Sequence, residues 1–287
     1  AAEAGVKAGD IILSVGGKEM VRGDMKPQEF SSKVSEALRG EPGTSFVLKV
    51  LRPLKNDSTV MEFKITRKNI RTNPVPYYGM VKDSIGYLAL SSFTENSAKD
   101  FKKAFIELKQ KGAKSLIIDL RDNGGGSLSE AVDIVNLYVP KGQEIVMTKG
   151  KVRQAQGSYK TQNEPVDTQI PLAVLVNGAT ASASEIVSGS LQDLDRAVVI
   201  GSRTFGKGLV QTIRPLPYNG TLKVTTSKYY IPSGRCIQAI DYAKKNADGS
   251  VARTPDSLTT VFHTAAGREV RDGGGIRPDI EVKGDKI

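Results

Sequence analysis

Among 287 residues there is one histidine, one cysteine and no tryptophan, and each shortage removes a class of chemistry. With Cys236 alone, no internal disulfide framework and no cysteine zinc cluster can form, so a free, buried thiol is expected. With His263 alone, any Ser-His or Cys-His mechanism has a single candidate base. No run of 18 or more apolar residues occurs, so no segment reads as a membrane-spanning helix. Aromatics make up only 6%, and they do not interleave with the bases as a single-strand nucleic-acid platform requires. The net charge of +10 comes from 41 basic and 31 acidic residues. Because groups such as Lys102-Lys103 lie among Asp and Glu, a solvated basic surface is expected and no nucleic-acid partner. The chain opens on Ala1 without a Met and reads as if entered mid-domain. Membrane association is therefore expected only through an anchor preceding Ala1.

What is present is an ordinary globular balance, 39% apolar and 25% charged, enough for one large or two ordinary domains. Residues 1–70 alternate as strands do: Met61, Phe63 and Ile65 share one face, with Glu62, Lys64 and Thr66 on the other. The opening AAEAGVKAGDIILSVGGKEM offers a short helical start, the Gly9-Asp10 turn, a strand over Ile11 to Val15 and the Gly16-Gly17 turn. It resembles the middle of a PDZ domain, a module that pairs a peptide C-terminus with a sheet edge. A linker rich in Pro and Tyr, 71–78, opens residues 71–287, where the pattern changes.

There Ser97 is placed to cap a helix in which Phe101, Ala104, Phe105 and Leu108 follow i, i+3, i+4, i+7 spacing, with Gly112 as the stop. An apolar run from Ser115 to Leu120 leads to the Gly124-Gly125-Gly126 turn and a helix carrying Leu128, Ala131, Val132 and Val135 on one face. Pro171 to Val176 reads as a buried strand, Ala183 to Leu194 as a helix, and Ala197 to Ile200 as another strand. Alternating strands and helices predict a mostly parallel sheet covered by helices. Its ligand loops follow the strand C-termini, here Asn123 to Ser127 and Asn177 to Ser182.

Two stretches invite chemistry. GSRTFGKG, Gly201 to Gly208, nearly spells a phosphate loop, but Gly208 stands where Ser or Thr must ligate magnesium, and the continuation favours a strand. In ATASASE, Ser182 and Glu185 have capping-box spacing. A serine at a strand-to-helix turn also sits at the positive end of a helix dipole, with the Ala183 amide aimed at any oxyanion formed there. Such a nucleophile requires a base. His263 is one candidate and Lys207 the other. A lysine base must be held neutral, which burial among apolar groups favours, and Phe205, Leu209 and Val210 surround Lys207 in sequence. If Lys207 to Thr212 is extended, Lys207, Leu209 and Gln211 share a face, and Gln211 can hold the amine without forcing it to stay charged.

SLIIDLRDNGGGS, VLVNGATASASEIVSGSLQD, GSRTFGKGLVQ, YYIPSGRCIQ and GGGIRPDIEV, in this order, resemble the carboxyl-terminal processing peptidases, or tail-specific proteases. The resemblance implies an α/β fold with a mostly parallel, ββα-type, crotonase- and ClpP-like protease core (71–287, with cap segments) behind a partial PDZ-like β-rich domain (1–70). It further implies that Ser182 is the nucleophile, Lys207 the general base and Gln211 its orienting partner. The oxyanion hole falls to the amides of Ala183 and Gly126, with Gly125 the alternative to Gly126, and His263 has no catalytic part. A serine endopeptidase acting near polypeptide C-termini is implied, with the PDZ-like region capturing apolar tails and gating the site. The implied setting is extracytoplasmic, periplasmic or envelope-associated, with no metal or cofactor, and an oligomer is compatible with it. The rivals are a non-catalytic tail- or ligand-binding protein on the same fold and a crotonase-type acyl-thioester enzyme.

Overall fold

The computed structural model describes residues 1–55, 57–70, 72–245 and 251–282; Arg71, at the head of the expected linker, lies outside them. The chain divides into two units at Thr72 and Asn73. In the first, β1 (Ile11–Val15) turns through Gly16-Gly17 into β2 (Lys18–Glu19), followed by α1 (Pro27–Leu38), β3 (Ser45–Pro53) and β4 (Ser58–Thr66). Pro27 opens α1, where a missing N–H costs nothing. The strands form one antiparallel sheet, β2-β1-β3-β4. The alternation seen in sequence puts Met61, Phe63 and Ile65 inside, packed with Phe30 and Val34 of α1 on the buried Val15, Met20, Leu48 and Val50. Asp10, in the turn before β1, takes Nε and NH2 of Arg52 at 2.7 Å each. The guanidinium holds its carboxyl down at about 2, so the stabilisation is present above the ordinary carboxylate range and lost as pH falls through about 2.

From Asn73 onward strands and helices alternate. The order is β5 (Tyr77–Lys82), β6 (Ile85–Ala89), α2 (Ser97–Gln110), β7 (Ser115–Asp119), α3 (Leu128–Asn136), β8 (Glu144–Gly150), β9 (Gly157–Lys160) and β10 (Leu172–Val176). Next come α4 (Ala183–Asp193), β11 (Val198–Gly201), β12 (Leu209–Pro215) and β13 (Thr221–Tyr230). The described chain closes through β14 (Ile240–Lys245), β15 (Val251–Arg253), β16 (Val261–His263), β17 (Glu269–Arg271) and β18 (Ile280–Glu281). The central sheet runs β18-β11-β10-β7-β6-β5, parallel throughout except at the β6–β5 edge. This is the mostly parallel α/β core expected. A second, antiparallel sheet runs β12-β13-β8-β9.

Central-sheet residues Leu88, Ile118, Val174 and Val199 are fully buried, as are Phe101, Phe105 and Leu108 of α2, each such side chain contributing about 1.5–3 kcal/mol. One expectation is corrected. Ser97 does not cap α2: Asn96 occupies that place with a left-handed φ of 66° and no capping side-chain bond. The orphan amides are satisfied from α3, where Glu130 accepts from Asn96 N at 2.9 Å and Ala98 N at 2.8 Å, a carboxylate in the place favoured by the helix dipole.

Helix α4 is buried along its whole length although half of it is polar. Its polar groups are answered one by one: Ser184 Oγ donates to Asn123 O, Ser188 Oγ to Ser184 O, and Gln192 Nε2 to Arg277 O, each at 2.9 Å. At its end Asp193 Oδ1 lies 2.8 Å from NH2 of Arg235, a 1%-exposed arginine that also donates to Gln192 Oε1 and Arg271 O. Replacing Asp193 by Ala strands a buried guanidinium, so Asp193→Ala should cost about 3–5 kcal/mol in chemical denaturation.

Candidate active site

The two glycine- and serine-bearing loops that follow β7 and β10 are stitched to each other. Asn123, fully buried, donates from Nδ2 to Leu90 O at 2.7 Å and accepts Gly125 N on Oδ1 at 2.9 Å. Its carbonyl takes Ala181 N at 3.0 Å and Ser184 Oγ at 2.9 Å. Thr180 Oγ1 reaches back to Leu120 O at 2.8 Å. Below the loop, Asp119 is gripped by Arg121 and by the Tyr87 hydroxyl; burial raises its carboxyl, but Arg121 and Tyr87 outweigh that and hold it below the usual range.

This stitching presents Ser182 in an uncommon conformation, φ 58° and ψ −116°, which for a non-glycine residue costs on the order of 1–3 kcal/mol. A strained serine between a buried strand and a helix N-terminus keeps its hydroxyl forward of the sheet. The capping pair is in register, but the close bonds run from Ser182 N to Glu185 Oε2 and from Glu185 N to Ser182 O, both at 2.8 Å. The Ser182 side chain faces the Glu185 amide in turn, so the capping box expected from the spacing is present. The neighbouring glycines are dictated by crowding: a Cβ on Gly125 would lie 2.6 Å from Ala181 O, and one on Gly126 would lie 2.3 Å from Phe93 O. Gly125 N is already used by Asn123, whereas Gly126 N and Ala183 N have no hydrogen-bond partner among the described residues.

The near-phosphate loop forms no phosphate site. It runs from the end of β11 into β12, with no helix after it, and its amides are occupied by an internal carboxylate. Glu185 Oε1 takes Thr204 Oγ1 at 2.5 Å and Gly206 N at 2.7 Å; Oε2 takes Lys207 N at 2.8 Å together with Ser182 N. Successive N–H groups thus make an anion nest whose anion comes from α4. Burial pushes the Glu185 carboxyl up, against the downward pull of Thr204 and the three amides. The buried Tyr229 hydroxyl completes the clamp from the other side, donating to Lys207 O and lying 3.2 Å from Ser182 O.

Ser182, Lys207, Gln211, Gly126 and Ala183 all line one cavity of about 320 Å³, so the five sequence-predicted residues are brought together. Its apolar wall is Leu128, Ile186, Leu209 and Val210. Phe205, expected beside Lys207, points to solvent at 37% exposure and is not in the lining. The extended segment begins at Leu209, so Lys207 lies in the loop ahead of it, and Gln211 sits at a register shift against β13. Among the described residues no hydrogen bond joins Ser182 Oγ, Lys207 Nζ and the Gln211 amide. His263 is exposed on β16 opposite Glu269, outside the cavity lining. Cys236 is partly rather than fully buried, and burial pushes its thiol up. Sequence reasoning missed Asn123, Tyr229 and the reach of Glu185 to the Lys207 loop. Only Glu185 carried a local signal, its spacing from Ser182.

The unit from Asn73 onward is thus an α/β core with a strained serine at a strand-to-helix turn, and the unit before it is an antiparallel sheet with one helix. Residues 84–245 match peptidase family S41, and residues 1–52 match the PDZ domain. The chain belongs to peptidase family S41. It is 39% identical over 244 residues to a carboxy-terminal-processing protease of Bartonella bacilliformis, covering 84% of this chain and 54% of that one. It is 32% identical over 272 residues to a chloroplastic C-terminal processing peptidase of Tetradesmus obliquus, covering 91% and 56%. Among solved structures, the photosystem II D1 C-terminal processing protease superposes with a TM-score of 0.56 at 27% identity, covering 98% of this chain and 65% of that one. The chain spans about half the length of the curated relatives it matches.

Glu185→Gln keeps the shape of the clamp but turns an amide NH2 toward N–H donors. It should lower stability by about 2–3 kcal/mol, as expected for lost hydrogen bonds to a charged group, and slow labelling of Ser182 by a fluorophosphonate probe, both measurable on one preparation.

Proposed function

We propose that this chain is the tail-recognising and catalytic part of a serine endopeptidase that cleaves polypeptides at or near their C-termini through a Ser182-Lys207 dyad. The observation that carries the reading is the cavity in which Ser182 and Lys207 stand beside two unpartnered amides, those of Ala183 and Gly126. A hydroxyl, an amine and a pair of converging N–H donors are the parts that acyl transfer needs.

In the proposed reaction Lys207 Nζ, neutral, takes the proton of Ser182 Oγ as that oxygen bonds to the scissile carbonyl carbon. The carbonyl electrons move onto oxygen, where the Ala183 and Gly126 amides receive them. Collapse expels the amine, which leaves with the proton returned by Lys207, and an ester remains on Ser182. Water then attacks the ester through the same base, freeing the new carboxylate and restoring the serine. Gln211, on the same cavity wall, orients the amine once substrate closes the site; catalytic hydrogen bonds of this kind are often long or absent without substrate. The strain at Ser182 supports the reading, since a costly conformation persists where surrounding contacts enforce it.

The PDZ-type unit, in this reading, captures apolar polypeptide tails and gates the cavity, with an extracytoplasmic, periplasmic or envelope setting. The resemblance to C-terminal processing proteases supports the substrate class, and the chloroplastic relative fits work outside a cytoplasm. A peptide with a flexible apolar tail should be cleaved by the wild type. Ser182→Ala and Lys207→Ala should each reduce kcat by about a thousandfold or more, while His263→Ala stays active and keeps the same rise in rate with pH. Equal cleavage by all four proteins would sink the dyad; loss confined to His263→Ala would replace it with a Ser-His mechanism.

A further inference from the structure

The cavity at Ser182 contains a second lysine that the proposed chemistry does not use. Lys223, on β13 opposite Ile213 of β12, lines it together with Lys207 and Gln211. No carboxylate is among the lining residues. Among the described residues Lys223 makes no ion pair and no hydrogen bond, unlike Lys49, Lys68 and Lys109, which meet Glu62, Glu3 and Asp167. The remaining wall is apolar, Leu128, Ile186, Leu209 and Val210. A cavity with a hydrophobic wall, a reactive serine and one unanswered cation is complementary to a peptide that presents an apolar side chain next to an anion.

We propose that Lys223 is a specificity-determining residue that binds a carboxylate of the substrate, so that peptides carrying one close to the scissile bond are preferred. This rests on the peptidase reading above. The carboxylate can be supplied by the peptide's own C-terminus or by an Asp or Glu side chain; the recognising chemistry is the same. Lys223 is exposed, so the pair is worth a modest factor and weakens as salt screens it.

The test uses the full chain and three fluorogenic peptides of one scissile sequence: a free C-terminal acid, its C-terminal amide, and the amide with an Asp near the cut. For the wild type, kcat/KM for a carboxylate peptide should exceed that for the neutral amide by about fivefold, through KM, and the ratio should shrink in high salt. Lys223→Met should bring the ratio toward one, and Lys223→Arg should keep it. Preference for the free acid alone assigns the C-terminal carboxylate; preference for the Asp peptide assigns a side chain. An unchanged ratio in Lys223→Met overturns the proposal. So does an equal loss on all three peptides with a displaced pH profile, which would mean that Lys223 acts on Lys207 instead. Fluorescence anisotropy with Ser182→Ala, with and without Lys223→Met, measures the same ratio as binding. If the Ser-Lys reading fails and no peptide is cut, a carboxylate preference that vanishes with Lys223→Met still stands by itself.

Discussion

The buried carboxylate of Glu185 ties together the parts that the site brings from different segments of the chain. Its two oxygens take the amides of Ser182, Gly206 and Lys207 and the hydroxyl of Thr204, so one side chain sets the backbone of the serine against the backbone of the lysine, 25 residues apart in sequence. The Tyr229 hydroxyl lies between the two carbonyls and donates to that of Lys207. Backbones held in this way leave the two side chains as the adjustable elements, a division that suits the proton exchange proposed for them. The clamp is costly to build, because a carboxylate loses its water, and that cost is met only because every lone-pair direction finds a donor.

The rest of the core follows from keeping that clamp in place. Helix α4 carries Glu185 and is buried throughout, so its polar side chains need partners in all directions, and the chain supplies them from four separate segments, through Asn123, Ile145, Arg277, and Ser233 with Arg235. Parallel strands bring the loops after β7 and β10 to one edge of the sheet. Asn123 then sews the glycine loop to the serine turn, and the glycines are confined by contacts too close for a Cβ. Among the described residues the amides of Gly126 and Ala183 keep no partner, while their neighbours Gly125, Ser127 and Ser182 spend theirs on Asn123, Phe93 and Glu185.

Much of this was legible in the sequence. Alternation gave the Met61, Phe63, Ile65 face, helical spacing gave the buried stripe of α2, and the order of apolar strands and amphipathic helices gave a mostly parallel sheet. The five ordered motifs led to Ser182, Lys207, Gln211, Gly126 and Ala183, which meet in one cavity. Local reasoning failed where a distant group took over a local duty. Ser97 looked like a cap, but Glu130 of α3 satisfies those amides. Phe205 looked like an apolar neighbour of Lys207, but the loop turns it to solvent.

GSRTFGKG is the sharpest case. By itself the sequence determined that this loop is rich in glycine, follows a strand and carries a lysine without the hydroxyl a magnesium site requires. It also determined the family, since residue identities at fixed order are a property of the chain alone. Which anion the loop's amides would hold was decided only by tertiary structure. Glu185 lies 21 residues before Gly206, and no periodicity links a helix to a loop across an intervening strand; the pairing exists because β10 and β11 lie side by side and parallel. The partnership of Tyr229 with Ser182 and Lys207 and the entry of Lys223 into the cavity have the same origin. Hydrogen bonds and charge act over a few ångströms of space, and only the packed sheet decides which distant residues share them.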